Sequence, residues 1–238
     1  MRTAYTVFRN LYNVRKMTMK LVLASGSQRR RELLTMCGYD YEIIVSNADE
    51  TIDENDPESF VRALSFRKAK EVFDRLFAAG RREFAVIGSD TVVAFQKEGE
   101  AKPVIIGKPK DAEDAVCILS MLSGKTHRVF TGVSVIADIP DENAAAQCSI
   151  REKAEIQTEC SITEVTFETL SPDEIADYVN SGDPLDKAGS YGIQGPFGMF
   201  VREIRGNYFT VIGMPIPVLY KMLKKIGILP HGFYERIE

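Results

Sequence analysis

The run Leu21-Val22-Leu23-Ala24-Ser25-Gly26-Ser27-Gln28-Arg29-Arg30-Arg31-Glu32-Leu33-Leu34 passes from a short apolar strand, through small polar residues, directly into a helix start. Any fold for this chain must therefore combine strand and helix within one tight unit. Ser25 and Ser27 bring hydroxyls to the turn, Gly26 admits close backbone approach, and the first helical turn presents unpaired N–H groups at the positive end of its dipole. Arginines oppose that dipole unless an anion sits between them, and Arg29 and Arg30 carry planar forks suited to phosphate oxygens. The junction reads either as an anion seat or as a solvated basic turn.

At 238 residues, 45% hydrophobic and 27% charged, the chain is long enough for one large domain and has ordinary globular composition. A net charge of −4 and a pI near 5.5 argue against a general nucleic-acid surface, so any positive site is local. Cys37, Cys117, Cys148 and Cys160 form no CxxC pair, and His127 and His231 have no partner at metal-ligand spacing. Reduced thiols in a cytoplasmic compartment are the simpler expectation. No apolar stretch reaches bilayer-spanning length, and no membrane partner is expected. Residues 1–19 carry four basic side chains (Arg2, Arg9, Arg15 and Lys16) and no acidic one; they read as an organelle presequence or as an extension upstream of an alternative start at Met17 or Met19.

Strands are expected at about 20–25, 41–45 and 84–95, with a hairpin turn at Lys97–Glu100 returning an antiparallel segment to Ile106. Two long strands follow at about 126–137 and 152–168, joined by a loop from Asp138 to Ala146. Helices are expected from the first turn to Cys37, from Pro57 to about Ala79, from an Asp111 cap to Leu122, from a Ser171 cap to Ser181, and over 217–226. Phe200–Ile204 and Tyr208–Ile212 read as strands around an Asn207 turn. The glycine-dense tract from Gly189 to Gly198 reads as irregular.

Lys68 lies four residues from both Leu64 and Val72 on the apolar stripe of the long helix, which directs it inward toward an anion or leaves it snorkelling at the stripe's edge. Asp90 follows buried apolar residues at what reads as a strand exit, a frequent position for a metal ligand or base and also for a structural aspartate. Asp49 and Glu50 stand at a second such exit. Convergence of these carboxylates with Ser25–Arg30 and Lys68 would make a charge-balanced pocket for phosphates and a divalent cation. Gly124-Lys125-Thr126 imitates the end of a Walker A loop, but Leu119 stands where the first glycine belongs, and Gly192–Gly198 is not a dinucleotide fingerprint.

Assembled, the motifs resemble the Maf family of nucleoside-triphosphate pyrophosphatases over about Lys20 to Lys225. The resemblance is carried by Ala24–Arg30, the Asp49-Glu50 loop, Arg67-Lys68-Ala69, Gly88–Val93, Gly107-Lys108-Pro109, Leu122–His127 and Asp186–Gly195. It implies an α/β fold with a mixed, elongated central sheet and flanking helices, two lobes around a cleft as in inosine-triphosphate pyrophosphatases, and a single catalytic domain over 20–238. It implies hydrolysis of a nucleoside triphosphate to monophosphate and pyrophosphate with Mg2+ or Mn2+. Ser25, Ser27, Arg29, Arg30, Lys68 and Lys108 would grip the triphosphate, Gln194 would face the nucleotide, and Glu50 and Asp90 would serve the metal and the attacking water. The Asp186–Gly195 segment resembles the branch preferring dTTP and UTP. Gln28 departs from the family's usual proline, which would loosen the first turn of the helix slightly. A homodimer is compatible with the family pattern. The competing reading is a nucleotide-binding regulator of cell division with little hydrolysis, which would not need both carboxylates.

Overall fold

The computed structural model describes residues 19–139 and 154–231. The expectations for residues 1–18 and for most of the loop after Asp138 lie outside the described residues. Along the chain come β1 (Lys20–Leu23), α1 (Gln28–Met36), β2 (Tyr41–Ile43), α2 (Pro57–Ala78), β3 (Phe84–Phe95), β4 (Val104–Ile106), α3 (Ala112–Leu122), β5 (Thr126–Ala137) and β6 (Glu155–Phe167). Then follow α4 (Pro172–Asn180), three 3-10 turns at Asp183–Asp186, Ala188–Ser190 and Pro196–Phe200, β7 (Val201–Arg205), α5 (Tyr208–Ile212) and α6 (Ile216–Lys225).

The strands form one mixed sheet in the order β2-β1-β3-β5-β6-β7, with β4 added on β3. β1 is parallel to β2 and β3, and the remaining pairs are antiparallel. Along one edge β3 is paired with β5 without interruption, from Ala85↔Ala137 to Ala94↔Arg128. On its other edge β1 reaches only Leu23↔Ile87, and β4 begins at Val93↔Ile106. Between them, Gly88 to Val92 has no strand partner on that edge among the described residues. This notch in the sheet positions the site.

Alternation along β3 sends Ala85, Ile87, Val93 and Phe95 to one face and Phe84, Val86, Val92 and Ala94 to the other. The first face carries two apolar clusters on either side of the notch. One joins β1, α1 and α6 through Leu23, Leu34, Ile87 and Leu223, and the other joins α3 and α4 through Leu119, Phe167, Tyr178 and Phe197. In the second cluster His127 is buried edge-on to Phe167, with Nε2 3.0 Å from the Tyr191 hydroxyl.

The second face is covered by α2, whose backbone rests almost directly on the sheet. A Cβ on Gly88 would lie 2.1 Å from the Ser65 carbonyl oxygen, and one on Gly132 would lie 2.1 Å from that of Val61. Asp56 caps this helix by accepting from the Ser59 N–H, and Pro57 occupies its first turn. Asp111 caps α3 in the same way, and Ser171 and Glu174 form a reciprocal capping box on α4.

Three expectations are corrected. Tyr208–Ile212 is a helix, not a strand: Asn207 is its N-cap, accepting from the Phe209 N–H at 2.9 Å, and Gly213 closes it at φ 108°. Five residues are too few for apolar spacing to separate the two periods. Asp90 is not at a strand exit but is the seventh residue of the twelve-residue β3. Likewise β2 ends at Ile43, so Asp49 and Glu50 belong to the loop that leads into α2.

Candidate active site

Lys68 projects from α2 toward the notch, and its Nζ lies 2.8 Å from Asp90 Oδ1 and 2.9 Å from Glu50 Oε1. The Lys68 and Asp90 side chains are only 12% and 11% exposed, whereas Glu50 is 64% exposed. An inward ammonium is tolerated because two carboxylates compensate it, and the buried aspartate is tolerated for the same reason. The Glu50 loop is held from α2. Arg67 Nη1 donates to the carbonyls of Asp49 at 2.8 Å and Thr51 at 2.9 Å, and Glu71 accepts from the Asn47 N–H at 3.0 Å. Asp49 itself is spent on the loop, accepting from the Thr51 N–H, which pulls its pKa down.

Arg30 is fixed at three points. Its Nε donates to the Gly213 carbonyl at 2.8 Å, Nη1 to Ser25 Oγ at 3.0 Å and Nη2 to Thr91 Oγ1 at 3.3 Å. The Gly213 carbonyl also accepts from Ser89 Oγ at 2.9 Å, so both sides of Asp90 on β3 contribute to holding the guanidinium. Burial lowers the Arg30 pKa and the charges of Asp90 and Glu50 oppose that shift; a guanidinium remains cationic regardless. Ser27 is the N-cap of α1 in extended conformation; its side chain makes no cap bond, and its N–H donates to Ser25 Oγ at 3.3 Å. The first turn of α1 holds no carboxylate, so the partial positive charge there favours an anion from outside the helix. Gln28, the first residue of α1, donates to Glu32 at 2.9 Å.

The remaining candidates gather around one loop. Arg29 Nη1 lies 3.4 Å from Asp186 Oδ2, and Lys187 Nζ lies 2.7 Å from Asp186 Oδ1. Burial tends to raise the Asp186 pKa, but the Lys187 hydrogen bond and the charges of Arg29, Lys187 and Lys108 hold it down. Lys108 is exposed in the turn after β4, and the preceding Gly107 carbonyl accepts from the Gly189 N–H at 3.0 Å. Gln194 is exposed a few residues further along the same loop. Ser25, Arg30, Glu50, Lys68 and Asp90 thus meet in the notch, while Arg29, Lys108 and Gln194 flank it through the 183–195 segment.

Sequence reasoning missed Thr91, Gly213, Arg67 and the cluster of Tyr178, Asp183 and Lys187. Arg67, Thr91 and Lys187 stood inside quoted motifs without a role. Thr91 and Gly213 become visible only when β3 and α5 are brought beside α1.

Two hard carboxylate oxygens gathered on one cation, with basic groups and backbone N–H donors beside them, make a site that can neutralise a polyphosphate and accept a proton from water. Described helices include none long and apolar enough to cross a membrane. The family model described as Maf-like protein matches residues 20–226. A dTTP/UTP pyrophosphatase of Agathobacter rectalis is 40% identical over 217 residues, covering 88% of this chain and 98% of that protein. A dTTP/UTP pyrophosphatase of Bacillus thuringiensis subsp. konkukian is 42% identical over 210 residues, covering 88% of this chain and 96% of that protein. With a family match that runs from β1 to the end of α6 and relatives aligned over nearly their whole length, the chain belongs to the Maf-like protein family.

Proposed function

We propose that this chain hydrolyses dTTP and UTP to the nucleoside monophosphate and pyrophosphate, the activity named for the relatives that align with it. The observation that carries the reading is the Lys68 bridge, which holds Glu50 and Asp90 together beside Arg30 and Ser25. Ser25, Ser27, Arg29, Arg30, Lys68 and Lys108 are assigned to the triphosphate, and Gln194 to the base. Water oxygen attacks the α-phosphorus, its proton passes to Asp90, and the bond between the α-phosphorus and the α–β bridging oxygen breaks. Pyrophosphate leaves with the electron pair of that bond. Arg30 is held by three acceptors before substrate arrives, so little reorganisation is needed to stabilise the charge that develops.

Glu50 and Asp90 fit a divalent cation, Mg2+ or Mn2+, because both are hard oxygen donors already collected on one positive charge. When bound, such an ion supplies charge neutralisation on the leaving group and lowers the pKa of a coordinated water. The same reading takes residues 20–238 as one catalytic domain whose two lobes are the clusters flanking the notch. It also takes the protein as cytoplasmic, without nucleic-acid partners, and compatible with a homodimer.

The test is a nucleotide panel with Mg2+, with and without chelator, scored for pyrophosphate against orthophosphate. Pyrophosphate from dTTP and UTP is expected, lost on chelation and reduced by about 100-fold or more in Asp90→Asn. Orthophosphate as the sole inorganic product would make the chain a γ-phosphatase instead. Tight nucleotide binding with no product would favour the regulator reading. A folded Asp90→Asn variant with undiminished release would remove Asp90 from the chemistry.

A further inference from the structure

Tyr178 lies on α4, in the apolar cluster beyond the notch, and is buried except for what its hydroxyl touches. That hydroxyl donates to Asp183 Oδ2 at 2.6 Å and accepts from the Gly192 N–H at 3.0 Å, the latter in a buried setting. Burial, and then the hydrogen bond to Asp183, push the phenol well above its ordinary pKa, so it remains a donor. Asp183 is tied in turn to Lys187, whose Nζ reaches Asp183 Oδ1 at 2.9 Å, the Asp183 carbonyl at 2.6 Å and Asp186 Oδ1 at 2.7 Å. The Lys187 side chain is 12% exposed and passes so close to Gly192 that a Cβ there would stand 2.6 Å from Lys187 Cε. Gly192 is therefore pressed on a charged node from one side and hydrogen-bonded to Tyr178 from another.

The same segment meets each flanking group of the site. Asp186 pairs with Arg29, the Gly189 N–H is bonded to the carbonyl preceding Lys108, and Gln194 follows Gly192 by two residues. A segment that supports two phosphate-side cations and carries the base-side amide, with the buried Tyr178 hydroxyl tying Gly192 to Asp183, acts as a strap whose setting fixes their spacing. We propose that Tyr178 is a positioning residue for base discrimination: through Gly192 and Asp183 it sets the Gly192–Gln194 backbone against the cations that hold the triphosphate. The inference rests on the triphosphate-pyrophosphatase reading above and adds to it the anchor of the loop that would select the base.

The experiment compares the full-length wild type with Tyr178→Phe, which keeps the ring and removes only the hydroxyl. Steady-state pyrophosphate release is followed with dTTP, UTP, CTP and GTP in Mg2+. Loss of the two bonds of this hydroxyl, one of them charge-assisted, is expected to raise KM for dTTP and UTP by about tenfold and to reduce their preference over CTP and GTP by a similar factor, with kcat changed by less than about threefold. Amide exchange over 188–195 accelerates in parallel. Asp183→Asn, which retains an acceptor for Tyr178 but loses the charge facing Lys187, is expected to move KM and preference in the same direction by less, and it serves if Tyr178→Phe does not fold. Unchanged KM and base preference in a folded variant, or a fall confined to kcat, overturns the proposal even if thermal stability drops. If the wild type releases no pyrophosphate from any nucleotide, the parent reading has failed; Gly192 exchange then reads the anchor separately, and equal exchange in wild type and Tyr178→Phe overturns it.

Discussion

Lys68 illustrates how much one side chain can reveal before any contact is known. Its place on the Leu64–Val72 stripe is a matter of helix geometry, and an inward ammonium requires an anion. Which anion is a different kind of question, because Asp90 and Glu50 are 22 and 18 positions away and reach Lys68 only through β3 and an irregular loop. The ion pair also makes an energetic demand. Lys68→Met strands the Asp90 carboxylate in a nearly closed setting and is expected to destabilise the protein by about 3 kcal/mol, the lower end of the range for broken buried pairs because Glu50 is solvent-facing. Adding Asp90→Asn removes the stranded charge and should recover most of that stability while hydrolysis stays lost. Urea unfolding of the two single variants and the double variant measures the first effect, and pyrophosphate release the second. Equal destabilisation by the double and single variants would show that the charges do not act as a pair.

Among the elements, those with chemical punctuation were legible. Asp56-Pro57, Asp111 and Ser171-Pro172 begin helices where caps and proline say they should, and Gly38 and Gly80 follow helices with positive φ. Tyr208–Ile212 was misread because its aromatic and β-branched residues favour strand, whereas the Asn207 cap and its bonds with Thr163 decide for helix. Asp90 was placed at an exit because its neighbours in the sheet cannot be inferred from one strand alone; the interruption lies in β1 and β4. The seating of α2 was equally invisible, since nothing local says that Gly88 and Gly132 face a helix backbone. Gly88→Ala is therefore expected to lift α2 from β3, costing about 3 kcal/mol and pulling Lys68 away from Asp90. Thermal unfolding together with pyrophosphate release checks this, and a Gly88→Ala protein with wild-type melting and activity would contradict the close packing.

For the molecule as a whole, the two clusters on one face and α2 on the other leave the site at a gap rather than in a closed core, yet titration behaviour is set deeper in. His127, held among Phe167 and Tyr191, has its pKa lowered by burial from 6.5 to about 3. The unfolded chain therefore takes up the proton first: the contribution is fully present above pH 6.5 and is lost as pH falls toward 3. Between pH 7.5 and 5 this amounts to about 2 kcal/mol, and His127→Gln should flatten that slope in urea unfolding at the two pH values. An unaltered slope would place the acid sensitivity elsewhere. Tyr191 is both the hydroxyl partner of His127 and a member of the glycine-rich loop, so protonation of His127 bears directly on that loop. Because Asp90 sits in the middle of a continuous β3–β5 ladder, a single residue inserted or deleted in β3 ahead of it would turn the carboxylate to the opposite face of the sheet, and one in β5 would turn Gly132 away from the backbone of α2. The two central strands can therefore accept exchanges of side chain but not of count, which leaves the connecting segments as the place where length is free to change.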